Sequence, residues 1–122
     1  MSKINCFDFD GVITTGIIPK EGDIVISGRC LDEAHVIYEF LEKLKLPYRN
    51  AVFFNPITYE LRGNHSVKAR TFSGTHKGNT LKTLLNNGVE IENMYEDDPL
   101  QAEIMETISG IKPIMVEQTV EL

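Results

Sequence analysis

Four short stretches of the 122-residue chain hold residue types that can act on a phosphate ester. They are Asp8-Phe9-Asp10-Gly11-Val12, Ser27-Gly28-Arg29, Lys77-Gly78 and Glu96-Asp97-Asp98. A phosphoester resists attack because its oxygens repel nucleophiles. Catalysis therefore needs positive charge around the phosphoryl group and a positioned nucleophile. Carboxylates gathered at one point repel each other unless a cation sits among them. Mg²⁺ favours a few carboxylates together with phosphate oxygens and water. Lys77 supplies a second positive charge, and Ser27 with the backbone N–H groups of its loop can hold phosphate oxygens. If Asp8 keeps strand geometry, Asp8 and Asp10 lie on the same side. One carboxylate can then attack while the other handles the proton on the leaving oxygen.

The elements between these stretches set where they meet. Residues 4–9 are a short apolar run ending in acids and Gly11, the pattern of a buried parallel strand feeding a loop. Residues 23–26 make a second strand, stopped by Ser27-Gly28-Arg29. Residues 31–44 read as an amphipathic helix whose inner face carries Leu31, Ala34, His35, Tyr38, Leu41 and Leu44, and Leu46-Pro47 ends it. Residues 51–54 make a third strand, closed by Asn55-Pro56. Residues 57–72 alternate around Gly63-Asn64, which predicts a hairpin, at most a small lid. Lys77-Gly78 opens a second helix that covers 80–85 and ends at Asn87-Gly88. Residues 89–95 give a fourth strand, 99–108 a third helix with Pro99 at its start, and 114–116 a fifth strand.

Strands alternating with helices predict an α/β domain: a three-layer, Rossmann-like arrangement with a parallel sheet of about five strands and helices on both faces. In such open sheets, ligands bind beyond the carboxyl ends of the strands. The four stretches all fall at that rim.

These stretches resemble the motifs of the haloacid dehalogenase (HAD) superfamily of phosphohydrolases. Residues 6–14, Cys-Phe-Asp-Phe-Asp-Gly-Val-Ile-Thr, resemble its first motif, and residues 24–29, Ile-Val-Ile-Ser-Gly-Arg, its second. Residues 76–81, His-Lys-Gly-Asn-Thr-Leu, resemble the third, and residues 95–99, Tyr-Glu-Asp-Asp-Pro, the fourth. They occur in the family's order. Within the superfamily, the Ser-Gly-Arg form and the paired acids resemble the phosphatase domain of polynucleotide kinase-phosphatases and phosphatase-like domains attached to RNA-repair proteins.

The resemblance implies a HAD fold and a set of roles. Asp8 attacks phosphorus and becomes an aspartyl-phosphate. Asp10 protonates the leaving group and then activates water. Ser27 binds a phosphate oxygen, and Lys77 orients Asp8 and neutralises charge; Gly28 and Arg29 are candidate substrate contacts beside Ser27, and Arg29 reads equally as an ordinary surface arginine. Mg²⁺ is held by Asp8, by the backbone carbonyl of Asp10 and by an acid of the fourth motif, either Asp97 or, with a one-residue shift, Asp98. Many members carry a substantial cap. Here about ten residues separate the first two motifs, and the other cap position holds only residues 56–76, so an open site without a large cap is expected.

Composition narrows the class. The length fits one domain spanning 1–122, and 42% apolar with 25% charged residues is the profile of a globular protein. A net charge of −6 argues against coating nucleic acid or a membrane surface. Cys6, in a core strand, and Cys30, at a helix start, form no zinc pattern. No signal-peptide region or membrane-span run is visible, so a cytoplasmic protein with no membrane partner and no obligate protein partner is expected.

The expected partner is a phosphorylated substrate, a small molecule or the end of a nucleotide or nucleic acid. Residues 57–78 carry Arg62, Lys68, Arg70 and Lys77 against Glu60 alone, a basic hairpin that can guide a polyanion. Phe53, Phe54 and Phe72 are expected in the core rather than as stacking surfaces. Thr14 and Thr15 shape the loop after the nucleophile, Glu103 lies on a solvated helix face, His35 is half-buried, and His65 and His76 are loop histidines. Two rival classes remain: a phospho-ligand-binding or regulatory module without turnover, and a phospho-acceptor signalling domain. The second needs a mid-chain acceptor Asp, where this chain has Asn55.

Overall fold

The computed structural model describes residues 3–43, 50–63 and 66–117. Among the described residues, five strands form one sheet: β1 (Ile4–Phe7), β2 (Ile24–Cys30), β3 (Ala51–Asn55), β4 (Ile91–Glu96) and β5 (Ile114–Met115). Its order is β3-β2-β1-β4-β5, and every neighbouring pair is parallel. The helices are α1 (Ala34–Lys43), α2 (Tyr59–Arg62), α3 (Val67–Asn86) and α4 (Pro99–Ser109). This is the predicted α/β fold with a Rossmann-like arrangement, small and without a large cap. Among the described residues, no helix is long and apolar enough to cross a membrane.

Period-two alternation sends neighbouring strand residues to opposite faces. On one face Phe7, Phe9, Val25, Ile37 and Leu41 form a core that includes α1. On the other, Cys6, Ile26, Leu81, Met94 and Met105 join the sheet to α3 and α4. The strands are apolar on both faces because both are covered. The β2-α1-β3 unit builds outward on one side of β1. The α3 crossover then carries the chain back to the opposite side, where β4 and β5 are added. From β1 to β2 the chain runs through a 3-10 turn at Ile13–Thr15 in place of a helix.

Two expectations need correction in the segment after β3. Among the described residues there is no hairpin between 57 and 72: the chain forms α2, and α3 begins at Val67. Thr58 caps α2, its Oγ1 accepting from the Leu61 N–H, and Gly63 ends it at φ +78°. Ser66 caps α3, its side chain accepting from the Ala69 N–H. Asn64 and His65, the predicted turn partner and loop histidine, lie outside the described residues. Lys77 does not open a helix; it sits near the middle of α3.

The alternation misled because the inner face of α3 is small and polar. Ala69, Ser73, Gly74, Lys77, Gly78 and Leu81 are buried at helical spacing. Gly74 and Gly78 let α4 come close. A Cβ on Gly74 would stand 3.0 Å from the Gln101 Cα, and one on Gly78 3.0 Å from the Ile108 Cβ.

Smaller differences lie elsewhere. α1 buries Ile37 and Leu41, while Leu31, His35 and Tyr38 are exposed, so His35 is not half-buried. Leu44, Leu46 and Pro47 are outside the described residues. β2 does not stop at Ile26 but continues through Ser27-Gly28-Arg29 to Cys30, with a register shift against β3 over that stretch.

Candidate active site

In the order β3-β2-β1-β4-β5, the chain direction across the sheet reverses between β1 and β4. That switch point opens a crevice beyond the carboxyl ends of these strands. Asp8 follows β1 directly, and its N–H still donates to the Tyr95 carbonyl at 3.0 Å. Glu96 closes β4, and Asp97 and Asp98 follow. The adjacency of β1 and β4 thus brings together acids 88 and 89 residues apart.

Lys77 joins them from α3. Its Nζ donates to Asp8 Oδ1 at 2.8 Å and to Glu96 Oε1 at 2.7 Å. All three side chains are buried: Asp8 is 4%, Lys77 2% and Glu96 0% exposed. The second oxygen of Glu96 accepts from the N–H groups of Asp97 and Asp98, both at 3.1 Å. Glu96 therefore fixes both the ammonium and the backbone of the following loop. Asp97 packs against Gly11, which has φ +83°, and a Cβ on Gly11 would collide with the Asp97 carboxylate. A glycine is needed there for conformation and for room. Thr14 braces the same loop, its Oγ1 accepting from the Gly11 N–H at 2.8 Å, and Thr15 Oγ1 donates to the Val12 carbonyl at 2.8 Å.

The loop corrects the strand-geometry expectation for Asp8 and Asp10. Residues 9–12 form a turn, so strand alternation does not set the direction of Asp10, although both carboxylates line the same cleft. Asp10 accepts two bonds from Arg29: Nε to Oδ2 at 2.8 Å and Nη2 to Oδ1 at 2.9 Å. Ser27 is fully buried, and its Oγ accepts from the Arg29 N–H at 3.0 Å. Gly28 lies under α3, where a Cβ would come within 2.6 Å of Ser73 Oγ. Its carbonyl accepts from Arg62 Nη1 at 2.7 Å.

Asp98, left open as an alternative to Asp97, faces another way. It accepts from Arg70 Nε at 2.8 Å and Nη2 at 2.6 Å, from Gln101 Nε2 at 2.9 Å, and caps α4 through the Leu100 N–H at 3.0 Å. Burial works to raise its carboxyl, but Arg70, Gln101 and the capping N–H outweigh it and hold it down at about 2.

The acid trio is Asp8, Glu96 and Asp97, with ligand oxygens all within 4.8 Å of one another. Burial and then the Glu96 charge push the Asp8 carboxyl well above the usual range, against the pull of Lys77. Burial and Glu96 likewise push Asp97 up to about 6. Burial alone would discharge Lys77, but Asp8 and Glu96 hold its ammonium above its ordinary range. One ammonium does not balance three carboxylates. An all-oxygen set of this size, opening on a polar cleft, fits a hard divalent cation such as Mg²⁺.

A second trio, Cys30, Asp32 and Glu33, is a capping cluster instead. Glu33 accepts from the Cys30 N–H and holds Arg29, and burial pushes the Cys30 thiol up.

The cleft, of about 840 Å³, is lined by Asp8, Asp10, Arg29, Arg62, Arg70 and Lys77 among others. Of the expected basic segment, Arg62 and Arg70 thus reach the cleft, Lys77 is buried in it, and Lys68 stands 5.9 Å from the Phe72 ring centre.

A separate apolar cleft of about 730 Å³ lies between β3 and α3. Phe53, Phe54 and Phe72 line it. Phe53, 37% exposed, is therefore not a core residue, and Phe72 is half-buried; Phe54 packs on the core beside α1. His76 lies on α3 rather than in a loop, its Nε2 3.4 Å from the Phe53 carbonyl. Glu103 is exposed on α4.

Sequence reasoning did not single out Glu96 as the anchor of Lys77, nor Glu33 as the partner of Arg29. For Glu96 the signal was present. Met94 faces α3, so residue 96, two along the strand, faces it too.

Comparison with protein-family models, with curated proteins and with solved structures finds no match to this chain.

Proposed function

We propose that the chain is a Mg²⁺-dependent phosphomonoesterase of the HAD type that works through an aspartyl-phosphate on Asp8. The observation that carries this reading is the Lys77 ammonium bridging Asp8 and Glu96 at the sheet's switch point, with Asp97 beside them. Mg²⁺, held by Asp8 and Asp97 with Glu96 behind them, would supply positive charge against the phosphoryl oxygens.

The chemistry of the chain's own residues follows. An Asp8 oxygen forms a bond to phosphorus as the bond to the leaving oxygen breaks, and Asp10 gives that oxygen its proton. Water then attacks phosphorus, Asp10 takes its proton, the Asp8–phosphorus bond breaks, and inorganic phosphate leaves. Lys77 fixes the Asp8 carboxylate, and the Gly28 backbone, which lines the cleft beside the buried Ser27, would hold phosphoryl oxygens. Arg62 and Arg70 line the cleft while bonded to Gly28 and Asp98, and their positive charge at its wall favours an anionic substrate such as the terminal phosphate of a nucleotide or nucleic acid. The two cysteines are free and buried, which suits a reducing cytoplasm.

The test is a screen of phosphate esters with wild type and Asp8→Asn, with and without Mg²⁺. Turnover is expected only for wild type with the metal, and Asp8→Asn should lose roughly 10⁴-fold or more. Activity surviving in Asp8→Asn would sink the mechanism. Binding of phosphate esters without turnover would assign a phospho-ligand-binding module instead.

A further inference from the structure

The contacts of Arg29 point away from substrate. A guanidinium can grip an oxyanion with two parallel bonds through its Nε–Nη2 edge or its Nη1–Nη2 edge, and Asp10 occupies the first. The remaining terminal nitrogen, Nη1, donates to Glu33 Oε2 at 3.1 Å. Glu33 is itself anchored. Its Oε1 accepts from the Cys30 N–H at 2.9 Å and lies 3.3 Å from Arg62 Nη1. Arg62 in turn donates to the Gly28 carbonyl at 2.7 Å. The chain Asp10–Arg29–Glu33–Arg62 therefore runs from the rim of the cleft back to the β2 backbone. Its inner members are the better covered: the side chains of Glu33 and Arg62 are 13% and 14% exposed, against 45% for Asp10.

We propose that Arg29 and Glu33 form a brace that positions Asp10, so that Arg29 serves the proton-transferring carboxyl rather than the substrate phosphate. This rests on the assignment of Asp8 and Asp10 above. A planar fork held at both ends fixes the plane of the carboxyl it grips. When Asp10 passes its proton to the leaving oxygen, the guanidinium stabilises the carboxylate left behind. In the second half-reaction the same carboxylate is already oriented to take a proton from water. Glu33 matters because an arginine has a flexible stem; without an anchor on Nη1 the fork does not hold one geometry.

Leaving-group dependence separates the two roles. Esters with good leaving groups need little help from a proton, whereas alkyl phosphates need the full transfer. For Arg29→Met, kcat/KM should fall roughly 10²-fold on an alkyl phosphate, the scale of a lost general acid, and less than about fivefold on 4-nitrophenyl phosphate. Inhibition by inorganic phosphate should stay within about threefold of wild type, since phosphate does not use Arg29. Glu33→Gln should show the same pattern with a smaller loss. The double variant Asp10→Asn/Arg29→Met should be no slower than Asp10→Asn, because the two act as a unit.

Equal losses on both esters, phosphate inhibition weakened tenfold or more, or additive losses in the double variant would overturn the brace and make Arg29 a phosphate ligand. Arg29→Lys, which keeps the charge but not the fork, and Glu33→Gln carry the same test if Arg29→Met fails to fold. A wild type that neither turns over phosphate esters nor binds phosphate removes the assignment of Asp8 and Asp10, and the brace with it. Uniform losses in an active enzyme remove the brace alone.

Discussion

Lys77 is the residue on which both stability and the proposed chemistry turn. A buried ammonium between two buried carboxylates is stable only as a set, and removing it strands Asp8 and Glu96. Lys77→Met should cost about 3–5 kcal/mol in urea unfolding and abolish turnover. Its pH signature has a definite sign. The folded ammonium titrates above its ordinary value, so its contribution is complete below about pH 10.5 and is lost as pH rises beyond that. The alkaline loss of stability in wild type should be missing in Lys77→Met; an unchanged alkaline limb would contradict the buried pair. At this scale, Asp8, Asp10 and Lys77 stood out in the sequence because acids and a glycine ending an apolar run, and a Lys-Gly pair, are distinctive. The partners were harder to see. Glu96, Asp97 and Asp98 are three adjacent acids, and only strand phase and the Arg70 contact separate a buried anchor from a rim acid and a helix cap.

Among the elements, the seating of α3 on β2 decides where Lys77 stands. Gly28 is the contact point, and a Cβ there would lie 2.6 Å from Ser73 Oγ and 2.7 Å from Ser73 Cβ. Gly28→Ala should push α3 outward and carry the Lys77 ammonium off Asp8. The expected result is a loss of about 1–3 kcal/mol with a larger proportional fall in turnover, measured by urea unfolding and kinetics on the same samples. Gly74→Ala tests the other side of the helix. Alanine in a helix is intrinsically better than glycine by up to about 1 kcal/mol. Here the new methyl meets the Gln101 Cα at 3.0 Å and Ile104 at 3.2 Å, so the net effect should be destabilising. A higher Tm for Gly74→Ala would show that α4 moves away at no cost. These glycines also explain why most of α3 was illegible. Its middle, residues 71–78, reads Thr-Phe-Ser-Gly-Thr-His-Lys-Gly, in which all but Lys77 are weak or average helix formers, and its buried face carries little apolar signal. The strands and α4 were legible because their inner positions are large and apolar.

For the molecule as a whole, the order β3-β2-β1-β4-β5 concentrates acids at one rim of a chain already at net charge −6. Without a cation, that concentration opposes folding once the acids ionise. Asp97 titrates at about 6 in the folded chain, above the ordinary 3.8. An acid raised on folding lends stability that is complete below about pH 3.8 and gone above about pH 6, and Asp8 is shifted in the same direction. Asp98 has the opposite sign: held at about 2, it lends stability that is complete above about pH 3.8 and lost as pH falls toward 2. In chelator, Tm should therefore drop on going from pH 4 to pH 7. A cation that binds only the folded, ionised trio should reverse that drop. At a hundredfold excess over its dissociation constant it adds about 2.7 kcal/mol. Mg²⁺ should thus raise Tm clearly at pH 7 and hardly at all at pH 4. Asp97→Asn should flatten the profile in chelator and lose most of the Mg²⁺ response, whereas Arg70→Ala should weaken the protein mainly through the Asp98 cap and keep that response. An equal Mg²⁺ shift in wild type and Asp97→Asn would place the cation away from this rim and take the proposed chemistry with it.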